Sequence, residues 1–309
     1  MTPSYRLMGV LNVTPDSFSD GGRFLAPELA IEHGRRLIAE GADIVDVGGE
    51  STRPGAEPVA VEEERSRVQP VIEVLGAAPG GAQISIDTSK AGVARAALGA
   101  GASLVNDVTA FRADPEMAGL VADSGAECCL MHMRGEPRTM QANPRYADVV
   151  DEVKAFLEER LAFAVSEGVS ERRVLLDPGI GFGKTLEHNL ELLRRLDELL
   201  TLGCPIVIGT SRKRFLGQIV ADALAAGAAA RPAGAPGVSV TDDGPATVAQ
   251  PEVATRLPGT LASNVLALER GASVFRVHDV AAVREALEVA AATLGERWTA
   301  RSTPTTPTS

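Results

Sequence analysis

Short apolar runs alternate along the chain with longer segments in which apolar residues recur at helical spacing. The apolar runs are continuous and rich in Val, Ile and Leu, which is typical of parallel strands buried on both faces. Eight such runs predict strands, at residues 6–12, 43–48, 83–87, 103–107, 127–132, 173–177, 205–209 and 273–278.

The segments between the strands predict amphipathic helices. Residues 27–42, 61–76, 90–102 and 148–168 carry apolar residues at the spacing of one helix face. Glycine recurs shortly before strands, as in AEGAD, GAGAS and ERGAS, where it is expected to end the preceding helix. Eight strands, each followed by a helical segment, predict a (β/α)8 TIM barrel of the α/β class. An open doubly wound sheet is the alternative, and fewer strands are expected in it.

Two segments interrupt this alternation. Residues 221–253 are rich in Ala, Gly and Pro; their first part predicts a helix extension and the remainder a flexible loop. The tail at 299–309 is predicted to be disordered. Residues 1–298 are interpreted as one catalytic barrel domain, because α/β barrels of about 200–250 residues form single domains.

Almost every predicted strand ends in a side chain that is able to bind a ligand. The carboxyl ends of the strands of a TIM barrel form one rim, and the active site lies there. Asp and Asn also cap helices and form turns, so local structure is the better explanation for any one residue alone. The convergence of many such residues on one rim favours a binding site. They are Asn12, Asp46, Asp87, Asn106, Asp107, His132, Asp177, Ser211, Arg212, Lys213, Arg276 and His278.

Part of this set suits the edge of a flat heterocycle. Asp87 and Asp177 follow buried strands, where a carboxylate needs hydrogen-bond donors. Asn106 offers a donor and an acceptor, and Lys213 can donate to a ring carbonyl or nitrogen. These residues together predict a site for a pterin or a guanine-like ring.

Another part of the set suits an anion. Arg53, Arg276 and His278 form a cationic group, and arginine binds phosphate through two hydrogen bonds. Asn12 offers an amide oxygen to Mg²⁺, which usually keeps waters and shares its ligands with substrate phosphates. The sequence therefore predicts a diphosphate beside the ring.

The glycine-rich segment DPGIGFGKT, residues 177–185, ends like a nucleotide-binding P-loop. The first glycine of a P-loop would stand at position 178, where this chain has Pro, which has no N–H to donate. We interpret the segment instead as a tight turn that begins at Asp177 and brings the backbone close to the ring. Lys184 is then expected at the surface or behind the ligand-contacting residues.

Composition narrows the classes of function. The net charge of −11 disfavours nucleic acid as a partner, and no apolar run approaches the roughly 18 residues of a membrane span. The N-terminus lacks the charged region and the full-length apolar region of a signal peptide. The three cysteines form no CxxC pair and lie in apolar runs, so buried reduced thiols are expected. These observations predict a cytoplasmic protein that acts on small molecules.

Motifs in eight segments resemble the dihydropteroate synthase family. The resemblance runs from about residue 6 to about residue 290 and is interrupted by the segment 221–253, where the family usually has a short connection. It implies a TIM barrel, usually dimeric, that joins 6-hydroxymethyl-7,8-dihydropterin diphosphate to p-aminobenzoate and releases pyrophosphate. The motifs are MGVLNVTPDSFSDGG (8–22), DIVDVGGESTRPGA (43–56), SIDTSK (85–90), VNDV (105–108), LMHMRG (130–135), LDPGIGFGKT (176–185), GTSRKRFLG (209–217) and RVHDV (276–280).

The resemblance also implies individual roles. Asp46 is expected to stabilise a cation on the pterin methylene after diphosphate departs, and Arg53 and Lys213 are the other expected catalytic residues. Asn12 is the expected Mg²⁺ ligand. The expected pterin-binding residues are Asp87, Asn106, Met131, Asp177, Phe182 and Lys213, and the expected diphosphate-binding residues are Asn12, Arg276 and His278. The expected p-aminobenzoate-binding residues are Phe18, Thr52, Arg53, Pro54 and Ser211.

Three further expectations follow. Ser211 is expected at the start of the helix after the seventh strand, where a carboxylate would meet the helix N-terminus. His132 is expected to pack rather than to contact the ligand. The loop STRPGA carries no insertion, so sulfonamide inhibition is expected.

Two other functions compete with this interpretation. A pterin-binding methyltransferase would share the Asp and Asn set but would not need the anion-binding residues. A pterin-binding protein without catalytic activity would not need to retain both sets together.

Overall fold

Eight parallel strands surround the centre of the structure, a computed structural model that describes residues 5–14, 26–51, 57–78, 81–135, 139–229 and 256–294. They are hydrogen-bonded in the order β6-β5-β4-β3-β2-β1-β8-β7. A parallel bridge between Leu176 and Ile206 joins β6 to the residue before β7, which closes the ring. The predicted TIM barrel is therefore confirmed. The strands are β1 Arg6–Asn12, β2 Ile44–Gly48, β3 Gln83–Asp87, β4 Leu104–Asp107, β5 Glu127–Met131, β6 Val174–Asp177, β7 Val207–Ile208 and β8 Val274–Val277.

Helices follow the strands and pack around them. The predicted helix 61–76 has the observed bounds, and the predicted extension at 221 is confirmed because α7 continues to Ala229. The rest of the segment 221–253, like the tail at 299–309, lies outside the described residues. The helices are α1 Ala26–Ala39, α2 Val61–Gly76, α3 Ala91–Gly99, α4 Met117–Ser124, α5 Val149–Ser166, α6 Leu186–Arg194, α7 Arg214–Ala229, α8 Leu257–Glu269 and α9 Val280–Thr293.

The seventh strand is shorter than the predicted 205–209. Pro205 has no N–H for a ladder hydrogen bond, and its carbonyl instead accepts from the Leu176 backbone N–H at 3.0 Å. Only Val207 and Ile208 pair with β8. The barrel is consequently closed by few backbone hydrogen bonds between β6 and β7.

An apolar layer crosses the barrel interior. Because alternate residues of a strand face the same side, the residues two positions further along each strand also point inward. That next layer lies toward the carboxyl ends and is largely polar. The apolar layer consists of Met8, Ile44, Leu104, Cys129, Leu175, Val207 and Val274. The layer above it contains Asp46, Asn106, Met131, Asp177, Gly209 and Arg276.

The three cysteines are buried and unpaired, as predicted. Within the described ranges, no helix combines the length and the apolar character that crossing a membrane requires.

Candidate active site

Arg276 lies at the centre of a hydrogen-bonded network on the inner layer. Its Nε donates to Asp46 Oδ2 at 2.7 Å, and its Nη2 donates to Asp87 Oδ2 at 2.7 Å. Asp46 also accepts from Ser85 Oγ at 2.6 Å and from Asn106 Nδ2 at 3.0 Å. These contacts join side chains from the neighbouring strands β2, β3 and β4 to Arg276 of β8, which is separated from β2 by β1.

Asp46 lies at the bottom of this network and has no exposed surface. Its two carboxylate oxygens receive three hydrogen bonds, from Ser85, Asn106 and Arg276. The carboxylate is therefore fixed in place, and it orients the amide of Asn106 and the guanidinium of Arg276. Ser85 was absent from the predicted site; its position two residues before Asp87 on the same strand face is the signal that could have found it.

Asp87 and Asp177 are buried carboxyl groups at the carboxyl ends of β3 and β6. Burial raises the pKa of Asp87 to about 7, and although Arg276 opposes this, the neighbouring carboxylate Asp46 adds to it. Burial also raises the pKa of Asp177, against the opposing charge of Lys213. Both carboxyls would therefore gain from a ligand that brings N–H donors.

Lys213 reaches from the turn after β7 over the loop after β6. Its Nζ donates to the carbonyl of Ile180 and lies 4.7 Å from the centroid of the Phe182 ring. Burial lowers the pKa of Lys213 to about 8, although the charge of Asp177 acts in the opposite direction. A cation, an aromatic face and a carboxylate thus lie together at one side of the pocket.

Apolar side chains line the same side. Met131 at the end of β5 packs with Met133, Met140 and Val108, and Phe182 covers this cluster. Met131 and Phe182, both predicted to bind the pterin, therefore belong to one apolar cluster beside Lys213.

The segment 177–185 is not a phosphate-binding loop. The backbone N–H of Gly179 donates to Asp177 Oδ1 at 2.6 Å, and that of Gly181 donates to Asn189 Oδ1 at 2.7 Å. The N–H of Phe182 donates to the Gly179 carbonyl at 3.0 Å. Since these donors are used within the protein, the structure agrees with the rejection of a P-loop.

The residues predicted to bind the anion within the described ranges follow or end the adjacent strands β1 and β8. Asn12 and His278 are half-buried there, and Ser211 Oγ lies 2.9 Å from His278 Nδ1. The expected helix start at Ser211 is wrong, because α7 begins at Arg214. Arg212 intervenes with a φ of 59°, and its Nε donates to Asp279 at 3.0 Å, which holds a turn at this point.

The other predicted residues include one that stabilises a turn, one that packs against an aromatic ring, and four that lie outside the described residues. Asp107 accepts from the backbone of Thr109 and Phe111, so it stabilises a turn after β4. His132 packs edge to face against Phe156 with centroids 4.9 Å apart, as expected. The predicted residues Phe18, Thr52, Arg53 and Pro54 lie outside the described residues.

Of the two positions expected for Lys184, the one at the surface is wrong, and burial agrees with the one behind the ligand-contacting residues. Its side chain is buried, and its Nζ lies 2.9 Å from His132 Nδ1. Its position in a glycine-rich turn gave no sign of burial, because only the fold brings the chain around His132 against it.

The model of a family described as pterin binding enzymes matches residues 8–278, so the chain belongs to that family and, by the relatives that follow, to its dihydropteroate synthases. The dihydropteroate synthase of Mycobacterium leprae is 47% identical over 94% of this chain and 93% of its own length. A structure of the Xanthomonas albilineans dihydropteroate synthase with 4-aminobenzoic acid is 44% identical, with a TM-score of 0.79 over 94% of this chain and 93% of the other.

A Yersinia pestis dihydropteroate synthase in a sulfonamide drug complex is 38% identical, with a TM-score of 0.79 and 94% of each chain covered. The chain is accordingly an enzyme of the transferase class with dihydropteroate synthase activity.

Proposed function

We propose that the pocket at the carboxyl end of the barrel joins 6-hydroxymethyl-7,8-dihydropterin diphosphate to p-aminobenzoate, giving 7,8-dihydropteroate and pyrophosphate. The observation that carries this assignment is the convergence of Asp87, Asn106, Asp177 and Lys213 on one rim, beside an apolar wall. The bound 4-aminobenzoic acid of the Xanthomonas albilineans enzyme supports the second substrate.

The charge of the pocket favours the pterin. The three carboxylates Asp46, Asp87 and Asp177 face the two cations Arg276 and Lys213. Donors from the amidine edge of the ring would reach the oxygens of Asp87 and Asp177 that accept no hydrogen bond from the described residues. Asn106 is held by Asp46 at 3.0 Å, so its amide oxygen is oriented before the ligand binds.

The diphosphate is proposed to lie against Asn12, Arg276 and His278. The two ion pairs of Arg276 occupy only part of its five N–H donors, so the same guanidinium can hold the carboxylates of Asp46 and Asp87 and also bind the phosphate. A positive group at this point stabilises the negative charge that develops on the leaving diphosphate.

Mg²⁺ fits the pocket through Asn12. Within the described ranges, the side-chain amide of Asn12 makes no hydrogen bond, and no three His, Cys, Asp or Glu residues form a cluster that could hold the ion. Mg²⁺ commonly takes few protein ligands and completes its shell with water and substrate phosphate. When bound, it supplies charge neutralisation at the diphosphate.

Departure of the diphosphate leaves a cation on the pterin methylene that is delocalised into the ring. The predicted role of Asp46 is to stabilise this charge, and its three hydrogen bonds hold the carboxylate in place without rearrangement during the reaction. The aniline nitrogen of p-aminobenzoate then attacks the methylene. Thr52, Arg53 and Pro54, which are predicted to bind p-aminobenzoate, are proposed to help exclude water from the reaction.

The test is pyrophosphate release by the purified protein from the pterin diphosphate, measured with and without p-aminobenzoate and with and without Mg²⁺. We expect release that needs all three components and is inhibited by sulfamethoxazole at limiting p-aminobenzoate. Pterin binding without release of pyrophosphate would refute the proposed reaction, and full release without Mg²⁺ would refute the role of the ion.

A homodimer is proposed from an exposed apolar surface on α7. Ile219, Val220 and Leu224 are exposed there, and Leu224 has 60% of its surface accessible. Contiguous exposed apolar side chains commonly mark an interface. Light scattering should show a dimer that Leu224→Glu dissociates and the control Val289→Glu on α9 does not. A monomeric parent protein would contradict the proposal.

We also propose a cytoplasmic location. The buried free thiols Cys128, Cys129 and Cys204 are compatible with a reducing compartment.

A further inference from the structure

The backbone carbonyls of the loop after β6 are held by side chains. Those of Gly179 and Phe182 accept from Lys184 Nζ at 2.9 and 3.1 Å. The carbonyl of Gly183 accepts from the hydroxyl of Tyr146 at 2.8 Å. The carbonyls of Ile180 and Gly181 accept from Lys213 and Gln141. Every carbonyl from residue 179 to residue 183 therefore has a side-chain donor.

Lys184 is the donor inside this loop. Its side chain is buried, and its Nζ makes a third contact, of 2.9 Å, with Nδ1 of His132. If Nδ1 of His132 carries no proton, the three contacts use the three N–H groups of an ammonium. If Nδ1 carries the proton, a neutral amine can donate to both carbonyls and accept from the imidazole. Burial, together with the charge of Lys184, lowers the pKa of His132 to about 2, so the imidazole is neutral, and its Nδ1 meets Nζ in either tautomer.

The loop is also packed against the turn after β5. A Cβ at Gly179 would lie 1.8 Å from the His132 carbonyl oxygen, and one at Gly183 would lie 2.4 Å from that of Arg134. The backbone N–H of His132 donates to the Asp177 carbonyl at 2.9 Å. The side chain of Lys184 thus joins the loop after β6 to the turn after β5. It does so through the carbonyls of Gly179 and Phe182 on one side and His132 on the other.

We propose that Lys184, through His132, is a positioning residue for pterin binding: it holds the loop after β6 in the conformation that aims Asp177 and Phe182 at the ring. Lys184 does not contact the substrate in this assignment. The inference rests on the proposed pterin pocket and adds to it a residue that acts through the backbone.

The experiment is the affinity of the purified full chain for 6-hydroxymethyl-7,8-dihydropterin diphosphate, measured by calorimetry without p-aminobenzoate. Lys184→Met keeps the length of the side chain and removes the donors, and we expect the dissociation constant to rise about tenfold or more. The turnover number at saturating pterin should change by less than about threefold, because the reacting groups remain in place. Lys154→Met, the same change on α5, should leave both values unaltered.

Two variants of His132 separate positioning from a general loss of structure. His132→Asn places an amide oxygen near the position of Nδ1, whereas His132→Leu has no acceptor, and both lose the ring packing against Phe156. We expect the dissociation constant of the Leu variant to exceed that of the Asn variant by about fivefold. This comparison tests the positioning role of the Lys184–His132 contact even if Lys184→Met fails to fold.

Two results would overturn the inference: a folded Lys184→Met protein with unchanged pterin affinity, or His132→Asn and His132→Leu proteins with equal affinities. Failure of the parent protein to bind the pterin would instead overturn the proposed function. The parent measurement therefore separates the two failures.

Discussion

The loops after β2 and β6 are each anchored by a buried or half-buried lysine, but the two lysines have different partners. Lys90 donates to the carboxylates of Glu50 and Glu64, and Glu64 has no exposed surface. Lys184 donates to two carbonyls and lies within hydrogen-bond distance of an imidazole nitrogen. The first loop is held at its base by opposite charges, and the second is held along its length by neutral acceptors.

The different partners shift the pKa values of Lys90 and Lys184 in opposite directions. Burial acts to lower the pKa of Lys90, but its hydrogen bonds to Glu50 and Glu64 outweigh burial and raise the pKa above its ordinary value. Burial lowers the pKa of Lys184 well below its ordinary value, and the nearby charge of Asp177 does not compensate. A buried lysine therefore stabilises the fold through its charge only where carboxylates accept its hydrogen bonds.

Removal of the Lys90 charge is expected to have the largest effect on stability. Lys90→Met would leave Glu64 buried without a counterion, at a cost of about 3–5 kcal/mol in the free energy of unfolding. Urea denaturation at pH 7 measures this loss. Lys184→Met should cost less, since it also removes a charge that burial disfavours. An equal or larger loss for Lys184→Met would contradict the distinction between the two lysines.

The contribution of Lys90 to stability is expected to depend on pH. Because the folded-state pKa of Lys90 is raised, its contribution to stability is complete below the unfolded-state value of about 10.4 and is lost as the pH rises through the folded-state value. The stability difference between the parent and Lys90→Met should therefore decrease above pH 10. A difference that stays constant would show that Lys90 acts through packing alone.

Loss of the Asp177 charge is expected to have the next largest effect, on pterin affinity. Asp177→Asn keeps an oxygen that can accept from the Gly179 N–H, so the turn is preserved while the charge is removed. Hydrogen bonds to a charged group contribute about 1.5–3 kcal/mol, so the pterin dissociation constant should rise at least about tenfold. Asp123→Asn on the exposed surface of α4 is the control in calorimetry. An unchanged affinity would remove Asp177 from the binding site.

Protonation of Asp87 is expected to have the smallest effect. Its raised pKa of about 7 means that the carboxyl carries a proton at lower pH and accepts hydrogen bonds from the pterin less well. The pterin dissociation constant should therefore rise as the pH falls from about 7.5 to 6, approaching about tenfold per pH unit below the pKa. Asp87→Asn should bind weakly with no such dependence. A flat profile for the parent protein would show that Asp87 does not titrate in this range.

Much of the barrel could be predicted because each strand depends on a local run of apolar residues. The apolar runs identified all eight strands, and β1 and β3 have the predicted bounds, since strands buried on both faces need continuous apolar sequence. The exception is β7, where Pro205 removed a donor and shortened the pairing. The helix 61–76 was found from its spacing despite the proline at position 70.

The site was predictable as a set of residues but not as a set of contacts. Asp46, Asn106, Asp177 and Arg276 were visible because each is a polar residue at or near the end of an apolar run. The pairing of Asp46 with Arg276 joins positions 230 residues apart, and no local pattern indicates it. The start of α7 was misplaced because the turn at Arg212 depends on Asp279, 67 residues further along the chain.

The sequence by itself determined the alternation of strands and helices, the polar residues at the strand ends and, through a long series of motifs, the family. Those features depend on residues that are neighbours in the chain or on the period of a single element. Only the tertiary structure decided that Ser85 and Asn106 hold Asp46, that Arg276 joins two carboxylates, and that Lys184 is buried against His132. Closure of the barrel brings distant strand ends within hydrogen-bond distance, and burial then determines the charge states of the groups that meet there.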